Sequence, residues 1–213
     1  MKRVTVVDYG LGNLLSVRRA FEQCGAEVTI SHSPVTVETA DHLVVPGVGA
    51  FGKGMWGLRQ NGLDLAIHQH VASGRPLLGI CLGMQLLLDE SDEFGVHSGL
   101  GLIPGRVVAI PSHGPDGSSH PIPHMGWNAL HSPPGSPGWQ GSLLSGIAQG
   151  EYCYFVHSFM ANPHHSSHRL ADCQYNGIAI SAVIAKENIL GCQFHPEKSG
   201  TVGLTILNTF LSL

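Results

Sequence analysis

The sequence has few charged residues, no excess of basic ones and no long hydrophobic run. Of its 213 residues, 12% are charged, and the formal net charge is −4 at pH 7. Nucleic-acid binding needs a basic surface, so we expect no nucleic-acid partner. The longest apolar run, residues 76–88, is interrupted by Gln85 and is shorter than the roughly 18 residues of a membrane span. At the N-terminus two basic residues precede only four strand-like residues, a run too short for the apolar core of a secretory signal. These features predict a soluble protein without membrane association, with residues 1–213 forming a single domain.

Cysteine pairs at metal or redox spacing are also lacking. The five cysteines are odd in number and form no CxxC motif, which favours free thiols in a reducing cytoplasm over a disulfide framework. Fourteen histidines raise the question of zinc, and the densest group is PHHSSH at 163–168. This group has no cysteine or carboxylate at ligand spacing and resembles a surface loop, so we expect neither a metal nor a cofactor.

Short β-branched runs alternate with amphipathic stretches in the first half of the chain. Strands are predicted at 3–10, 27–31, 42–47 and 75–80, and helices at 12–25, 62–74 and 82–90. Strands separated by helices predict a parallel sheet covered by helices. In the second half, the Pro-, Gly- and Ser-rich segments 111–126 and 131–142 are predicted as loops. Strands in quick succession, predicted to be antiparallel, then follow at 151–161, 169–175, 177–186 and 188–196, before a C-terminal helix. We therefore predict an α/β layered protein.

Cys81 lies between two glycines in GICLG, residues 79–83, directly after the most apolar strand. Glycines on both sides permit a sharp turn from strand to helix, the geometry of a nucleophile elbow. The thiol would then lie at a helix N-terminus, where the dipole favours the thiolate. The alternative is a small residue buried in the core.

A nucleophilic cysteine needs a base and a group that orients the base. The segment GCQFHPEKSG supplies both, with His195 as the base and Glu197 as the orienting carboxylate. Pro196 predicts an extended segment in which both side chains project to the same side. The alternative is a surface histidine beside a solvated glutamate.

Hydrolysis through a tetrahedral intermediate also needs donors for an oxyanion. The backbone N–H of Leu82 follows the nucleophile and is one candidate. The loop VVPGVGAFGKGM at 44–55 supplies the other, because Gly47 and Gly49 leave bare amides free to approach a substrate. An ordinary glycine-rich turn is the alternative.

These three segments together resemble the class I (triad) glutamine amidotransferases. Three further segments indicate one group within this class: YGLGNLLSV (9–17), PHMGWN (123–128) and YFVHSF (154–159). They are similar to the family of glutaminase subunits of imidazole glycerol phosphate synthase, an enzyme of histidine biosynthesis. The resemblance implies the three-layer, flavodoxin-like fold of class I amidotransferases, with a mostly parallel central sheet and additional antiparallel strands. It covers nearly the whole chain in order.

The resemblance implies a Cys-His-Glu triad that converts glutamine to glutamate and ammonia. Cys81 would attack the carboxamide, His195 would protonate ammonia and then activate water on the thioester, and Glu197 would orient His195. The backbone amides of Gly49 and Leu82 would form the oxyanion hole.

The resemblance also implies how glutamine and a partner are bound. Gln85, Glu93, Gly47 and Ser158 would hold glutamine, with Glu93 opposite its amino group. A (β/α)8-barrel synthase subunit would complete a heterodimer, receive ammonia through a sequestered route and switch the glutaminase on through its own ligand. The positions implied at that interface are Asn13, Trp127, Tyr154 and Lys198.

The chain departs from the family pattern at Gly200, where a glutamine is usual, and in the loops 112–123 and 163–168. Two hypotheses compete with a glutaminase subunit of imidazole glycerol phosphate synthase. One is the glutaminase subunit of another triad amidotransferase, and the other is a non-catalytic regulatory subunit that kept the fold. A cysteine-dependent α/β-hydrolase would carry a separate aspartate before the histidine rather than Glu197 after it.

Overall fold

The computed structural model describes all 213 residues, which form thirteen strands and six helices. The strands are β1 (Arg3–Val7), β2 (Glu27–Ser31), β3 (His42–Gly47), β4 (Leu77–Cys81), β5 (Leu88–Ser91), β6 (His97–Ser98), β7 (Ile103–Ala109), β8 (His124–Ala129), β9 (Tyr152–His157), β10 (Phe159–Pro163), β11 (Arg169–Tyr175), β12 (Ile178–Lys186) and β13 (Ile189–Cys192). The helices are α1 (Leu14–Gln23), α2 (Pro34–Glu38), α3 (Phe51–Gln60), α4 (Leu63–Ala72), α5 (Leu82–Leu86) and α6 (Gly200–Leu211). None of these helices is long and apolar enough to cross a membrane.

A seven-stranded sheet forms the middle layer, in the order β11-β12-β13-β4-β3-β1-β2. From β2 to β13 neighbouring strands are parallel, whereas β12 runs antiparallel to both β13 and β11. The expectation of a parallel sheet extended by antiparallel strands is confirmed.

Helices cover both faces of this sheet, because side chains alternate between the faces along each strand. In β3, Leu43 and Val45 pack with α3 and α4, whereas Val44 packs on the opposite face with α1 and α6. The central strands are buried throughout and nearly all apolar, as parallel strands between two helical layers must be.

Two smaller sheets flank the central one. The sheet β10-β7-β5-β6 contributes Leu88, Ile103 and Val107 to the core on the α3/α4 side. The antiparallel pair β8–β9 contributes Cys153 and Phe155 to the core on the α1/α6 side.

Several predicted boundaries are wrong. The helix predicted over 82–90 stops at Leu86, and β5 begins at Leu88 because this leucine pairs with Ile103 of β7 and is fully buried there. The strand predicted over 3–10 ends at Val7. The strand predicted over 151–161 divides at Ser158, where the chain leaves β8 and joins β7.

Other elements were missed or misassigned. Strand β8 begins at His124, inside a segment predicted to be a loop, while β7, α2 and α3 had no prediction of their own. Pro196 does not continue an extended strand: residues Pro196–Lys198 form a 3-10 turn. Strand β8 forms despite its weak local signal because it pairs along its whole length with β9.

Candidate active site

Cys81 is the last residue of β4 and the N-cap of α5, with φ 54° and ψ −109°. This backbone conformation is rare for a residue with a side chain and costs free energy, as expected at a nucleophile elbow. Cys81 is only 7% exposed. The elbow geometry predicted from GICLG is present in the structure.

The glycines beside the elbow are needed for close packing. A Cβ on Gly79 would lie 2.7 Å from the backbone of Gly83 and Met84, and a Cβ on Gly83 would collide with the carbonyl oxygen of Val45. Both glycines therefore let α5 lie directly against β3 and β4. Because α5 has only five residues, its dipole is smaller than that of the longer helix predicted from the sequence.

Three segments leave the same edge of the sheet because β3, β4 and β13 are parallel neighbours. Gly47 of β3 lies opposite Cys81, and Cys192 of β13 lies opposite Ile80. The loop containing Gly49, the elbow and the segment containing His195 therefore start side by side. Functional groups in such sheets gather at the carboxyl ends of the strands.

His195 and Glu197 form a buried pair. Nδ1 of His195 lies 2.7 Å from Oε1 of Glu197, and their side chains are 3% and 2% exposed. The 3-10 turn brings them together, rather than the extended segment that Pro196 suggested. The alternative of a surface histidine beside a solvated glutamate is excluded by this burial.

The environment of His195 favours its protonated form. Burial alone lowers its pKa, but the side chains of Cys81 and Glu197 raise it by more, to about 9. A thiolate and a carboxylate next to the ring both stabilise the imidazolium. Nε2 is buried and makes no hydrogen bond of good geometry, so its proton is available for transfer to another group.

A cleft of about 350 Å³ opens at Cys81. Of the predicted site residues, Cys81, Leu82, Gly49, Gln85, Glu93 and Ser158 line it. As the first residue of α5, Leu82 has a backbone N–H without an intrahelical partner. Gly49 has a φ of 111°, which favours glycine. The cleft is large enough for a small ligand.

Gln85 and Glu93 are both fixed within this cleft. Nε2 of Gln85, a buried residue, donates to the carbonyl oxygen of Phe159 at 3.0 Å and to Oε1 of Gln193 at 3.0 Å. Gln85 therefore does not face solvent, although it is a polar residue on a helix. One oxygen of Glu93 accepts the backbone N–H of Phe51 at 2.5 Å, which leaves its other oxygen for a ligand.

Gly47 and His195 are not among the residues that line the cleft. Gly47 is buried in β3, where a Cβ would collide with the Tyr9 hydroxyl and touch the side chain of Leu82. Its place in the structure is explained by this close approach, and its role in glutamine binding stays a prediction.

Three of the four predicted interface residues lie close together. The rings of Trp127 and Tyr154 are 6.0 Å apart, and Nζ of Lys198 lies 6.0 Å from the centroid of the Tyr154 ring. Trp127 is 56% exposed, so it faces solvent in this chain. Asn13 is exposed, and as the N-cap of α1 its side chain accepts the backbone N–H of Ser16 at 3.3 Å.

Two residues next to the nucleophile could not be identified from the sequence. The hydroxyl of Tyr9 donates to the carbonyl oxygen of Pro46 at 2.5 Å, and burial raises its pKa. Gln193 is fully buried and directs Nε2 towards Sγ of Cys81 at 3.8 Å. The only available signal was the position of Gln193 two residues before His195.

Comparison with known proteins extends these observations. The family model described as "Glutamine amidotransferase class-I" matches residues 5–212. The protein named "Imidazole glycerol phosphate synthase subunit HisH 1" from Legionella pneumophila (strain Lens) is 54% identical over 213 residues, which are 100% of both chains. The protein named "Imidazole glycerol phosphate synthase subunit HisH" from Bacillus subtilis (strain 168) is 45% identical over 210 residues, 99% of this chain and 96% of that one.

Solved structures show the same fold. A structure described as "Structure of PurLQS from Thermotoga maritima" has a TM-score of 0.74 at 19% identity, covering 100% of this chain and 99% of that one. Another, described as "Crystal structure of glutamine amidotransferase", has a TM-score of 0.72 at 16% identity, with 98% and 99% coverage. With an elbow cysteine, a buried His-Glu pair and a matching family model over nearly its whole length, the chain belongs to the class I glutamine amidotransferase family.

Proposed function

We propose that this protein is the glutaminase subunit of an imidazole glycerol phosphate synthase and supplies ammonia for histidine biosynthesis. The observation that carries the proposal is the arrangement around Cys81. Cys81 opens into the cleft lined by Gly49, Gln85 and Glu93. The buried pair of His195 and Glu197 follows β13, the parallel neighbour of β4, at the same edge of the sheet. The full-length relatives named as subunits of this synthase support the choice of pathway over other triad amidotransferases.

The reaction begins at Cys81. The thiolate sulfur attacks the side-chain carbonyl carbon of glutamine, and the carbonyl oxygen becomes an oxyanion. Backbone N–H groups of Leu82 and Gly49 face the developing charge, where preorganised donors lower the barrier most. The strained backbone of Cys81 presents the sulfur to the cleft without a change of conformation.

His195 transfers the protons. With a pKa of about 9 it carries a proton at neutral pH, and it gives this proton to the departing nitrogen, so that ammonia leaves and a thioester remains. The neutral ring then accepts a proton from water, which attacks the thioester and releases glutamate. Glu197 holds Nδ1 at 2.7 Å throughout, which fixes the ring and stabilises its charged form.

The other end of glutamine is held away from the sulfur. The free carboxylate oxygen of Glu93 fits the α-amino group by charge, while Gln85 and Ser158 supply polar atoms at the cleft wall. Gln85 is well suited to this role because both of its N–H groups are already occupied, so that its oxygen has one fixed direction.

We further propose a heterodimer with a (β/α)8-barrel synthase subunit in the cytoplasm, and a single amidotransferase domain over residues 1–213. The solvent-facing Trp127, with Tyr154 and Lys198 beside it, supports a docking surface on this side. The backbone N–H of His195 donates to the carbonyl of Tyr154 at 2.9 Å, so a backbone hydrogen bond links this surface directly to the triad. The family model over residues 5–212 supports the domain assignment.

Glutamate release from glutamine tests the proposal. The purified chain is assayed alone and with a cognate barrel subunit plus its nucleotide ligand, as wild type, Cys81→Ala and the matched control Cys24→Ala. We expect hydrolysis in the liganded complex, no hydrolysis with Cys81→Ala, and wild-type hydrolysis with Cys24→Ala, because Cys24 is the C-cap of α1 and does not line the cleft. The Cys81→Ala complex should still make product from added ammonium.

Each alternative has its own outcome in this assay. If no pairing releases glutamate, the chain is a non-catalytic subunit. If glutamate is released but no barrel subunit of this synthase binds or gains ammonia, the chain serves another triad amidotransferase. Release that persists in Cys81→Ala would exclude Cys81 as the nucleophile.

A further inference from the structure

Gln193 is fully buried beside the nucleophile and has no part in the reaction described above. It lies between the end of β13 and His195, and its backbone N–H donates to the carbonyl of Ala182 at 2.9 Å. A buried amide must satisfy its polar atoms locally, because leaving them unpaired costs free energy. The partners of its side chain therefore show what it does.

The orientation of this amide is dictated by a backbone group. The carbonyl oxygen of Phe159 only accepts, so the Gln85 atom facing it at 3.0 Å is Nε2. The second hydrogen of the same nitrogen points at Gln193, whose facing atom at 3.0 Å must then be Oε1. This leaves Nε2 of Gln193 on the other side, 3.8 Å from Sγ of Cys81.

The same carbonyl is fixed from a second direction. Nδ1 of His157 lies 2.7 Å from the Phe159 oxygen, and Nε2 of His157 lies 2.9 Å from Nδ1 of His124. Since the carbonyl needs a donor, His157 carries its proton on Nδ1 and accepts through Nε2 from His124. The oxygen that orients both glutamines is thus held by two donors.

The two protonation states of Cys81 have different partners. The thiol hydrogen points to the carbonyl oxygen of Val156 at 3.9 Å, a contact that a thiolate loses. The N–H of Gln193 is the complementary contact, since a donor interacts more strongly with the charged sulfur than with the neutral one. Tyr9 and His195 are titratable groups near the thiol, and Glu93 and His157 line its cleft.

We propose that Gln193 is a positioning residue for the glutaminase reaction, holding the Cys81 thiolate through an N–H donor whose direction is set by Gln85 and the Phe159 carbonyl. Its effect on turnover rests on the proposed function. The contact with sulfur belongs to the chain by itself and can be tested without glutamine.

The test measures the rate of Cys81 alkylation by iodoacetamide between pH 5 and pH 10 in the isolated chain, with the reaction of Cys81→Ala subtracted. The variants are Gln193→Met, which removes the donor, and Gln193→Glu, which keeps an acceptor for Gln85 but turns an oxygen towards the sulfur. Gln69→Met, on the exposed side of α4, is the matched control. Thermal unfolding is recorded for every variant.

For Gln193→Met we expect alkylation at pH 7 to slow about tenfold while the high-pH plateau stays within about twofold of wild type. At pH 8, Gln193→Glu should slow at least as much, and Gln69→Met should match wild type. Equal slowing at every pH would show a structural role only and overturn the proposal, as would wild-type profiles in both Gln193 variants. If Gln193→Met does not fold, the isosteric Gln193→Glu decides by itself. Failed glutaminase activity with the expected alkylation profiles would refute only the proposed function.

Discussion

Replacing Cys81 by glycine should make the protein more stable than replacing it by alanine, the reverse of the usual order. Cys81 has a φ of 54° and a ψ of −109°, a conformation open to glycine and costly for any residue with a Cβ. Both variants lack the thiol, so their difference isolates the cost of the backbone conformation.

The magnitude follows from three contributions to the free energy of unfolding. Relief of backbone strain favours glycine by about 1–3 kcal/mol. The greater freedom of glycine in the unfolded chain disfavours it by about 0.5–1 kcal/mol, and loss of a buried methyl group costs about 0.8 kcal/mol. With strain at the upper end, Cys81→Gly exceeds Cys81→Ala in free energy of unfolding by about 1.5 kcal/mol, which is about 3–6 °C in Tm for a chain of this size.

Urea and thermal unfolding of the two variants measure this difference. The control pair is wild type and Ala182→Gly, because Ala182 is fully buried in β12 and does not have a positive φ. We expect Ala182→Gly to lose about 1.5 kcal/mol from the same two unfavourable contributions. If glycine is less stable than alanine at position 81 by as much as at 182, the elbow is not strained and the reasoning is refuted.

Three further predictions concern packing and titration. Gly83→Ala should lower the free energy of unfolding by about 1–3 kcal/mol, because its Cβ would meet the Val45 carbonyl; an unchanged urea midpoint would show that α5 can shift. Since the pKa of His195 is raised to about 9, the stabilisation from its protonated ring is complete below about pH 6.5 and is lost as the pH rises through 9. A ¹H–¹⁵N NMR titration of the ring and urea unfolding at pH 6 and pH 10 can measure this loss; a ring that titrates below pH 7 would contradict it. Burial lowers the pKa of His124 to about 4 and that of His157 to about 3, so the free energy of unfolding should fall as the pH is lowered from about 6.5 to 3. The fall should be smaller in His157→Gln; equal acid sensitivity of this variant and the wild type would contradict the prediction.

Much of the fold could be predicted because its signals are local. The alternation of β-branched runs with amphipathic stretches predicted β2, β3 and α4 at nearly the observed bounds. The elbow could be found for the same reason, since the conformation of Cys81 depends on glycines within two residues of it. Strands β7 and β8 escaped prediction because their pairing partners are distant in the chain: β8 pairs with β9, more than twenty residues later.

The amino-acid sequence by itself determined the identity of the chemical groups: a cysteine between glycines, a histidine with a glutamate two residues on, and glycine-rich turns after parallel strands. Only the tertiary structure decided that His195 and Glu197 meet through a 3-10 turn, that Glu93 reaches the amide of Phe51, and that Gln193 directs its nitrogen at Cys81. The physical reason is that covalent spacing constrains neighbours along the chain, whereas a buried polar group takes its direction from the partner it must satisfy, and that partner is brought by the packing of distant segments.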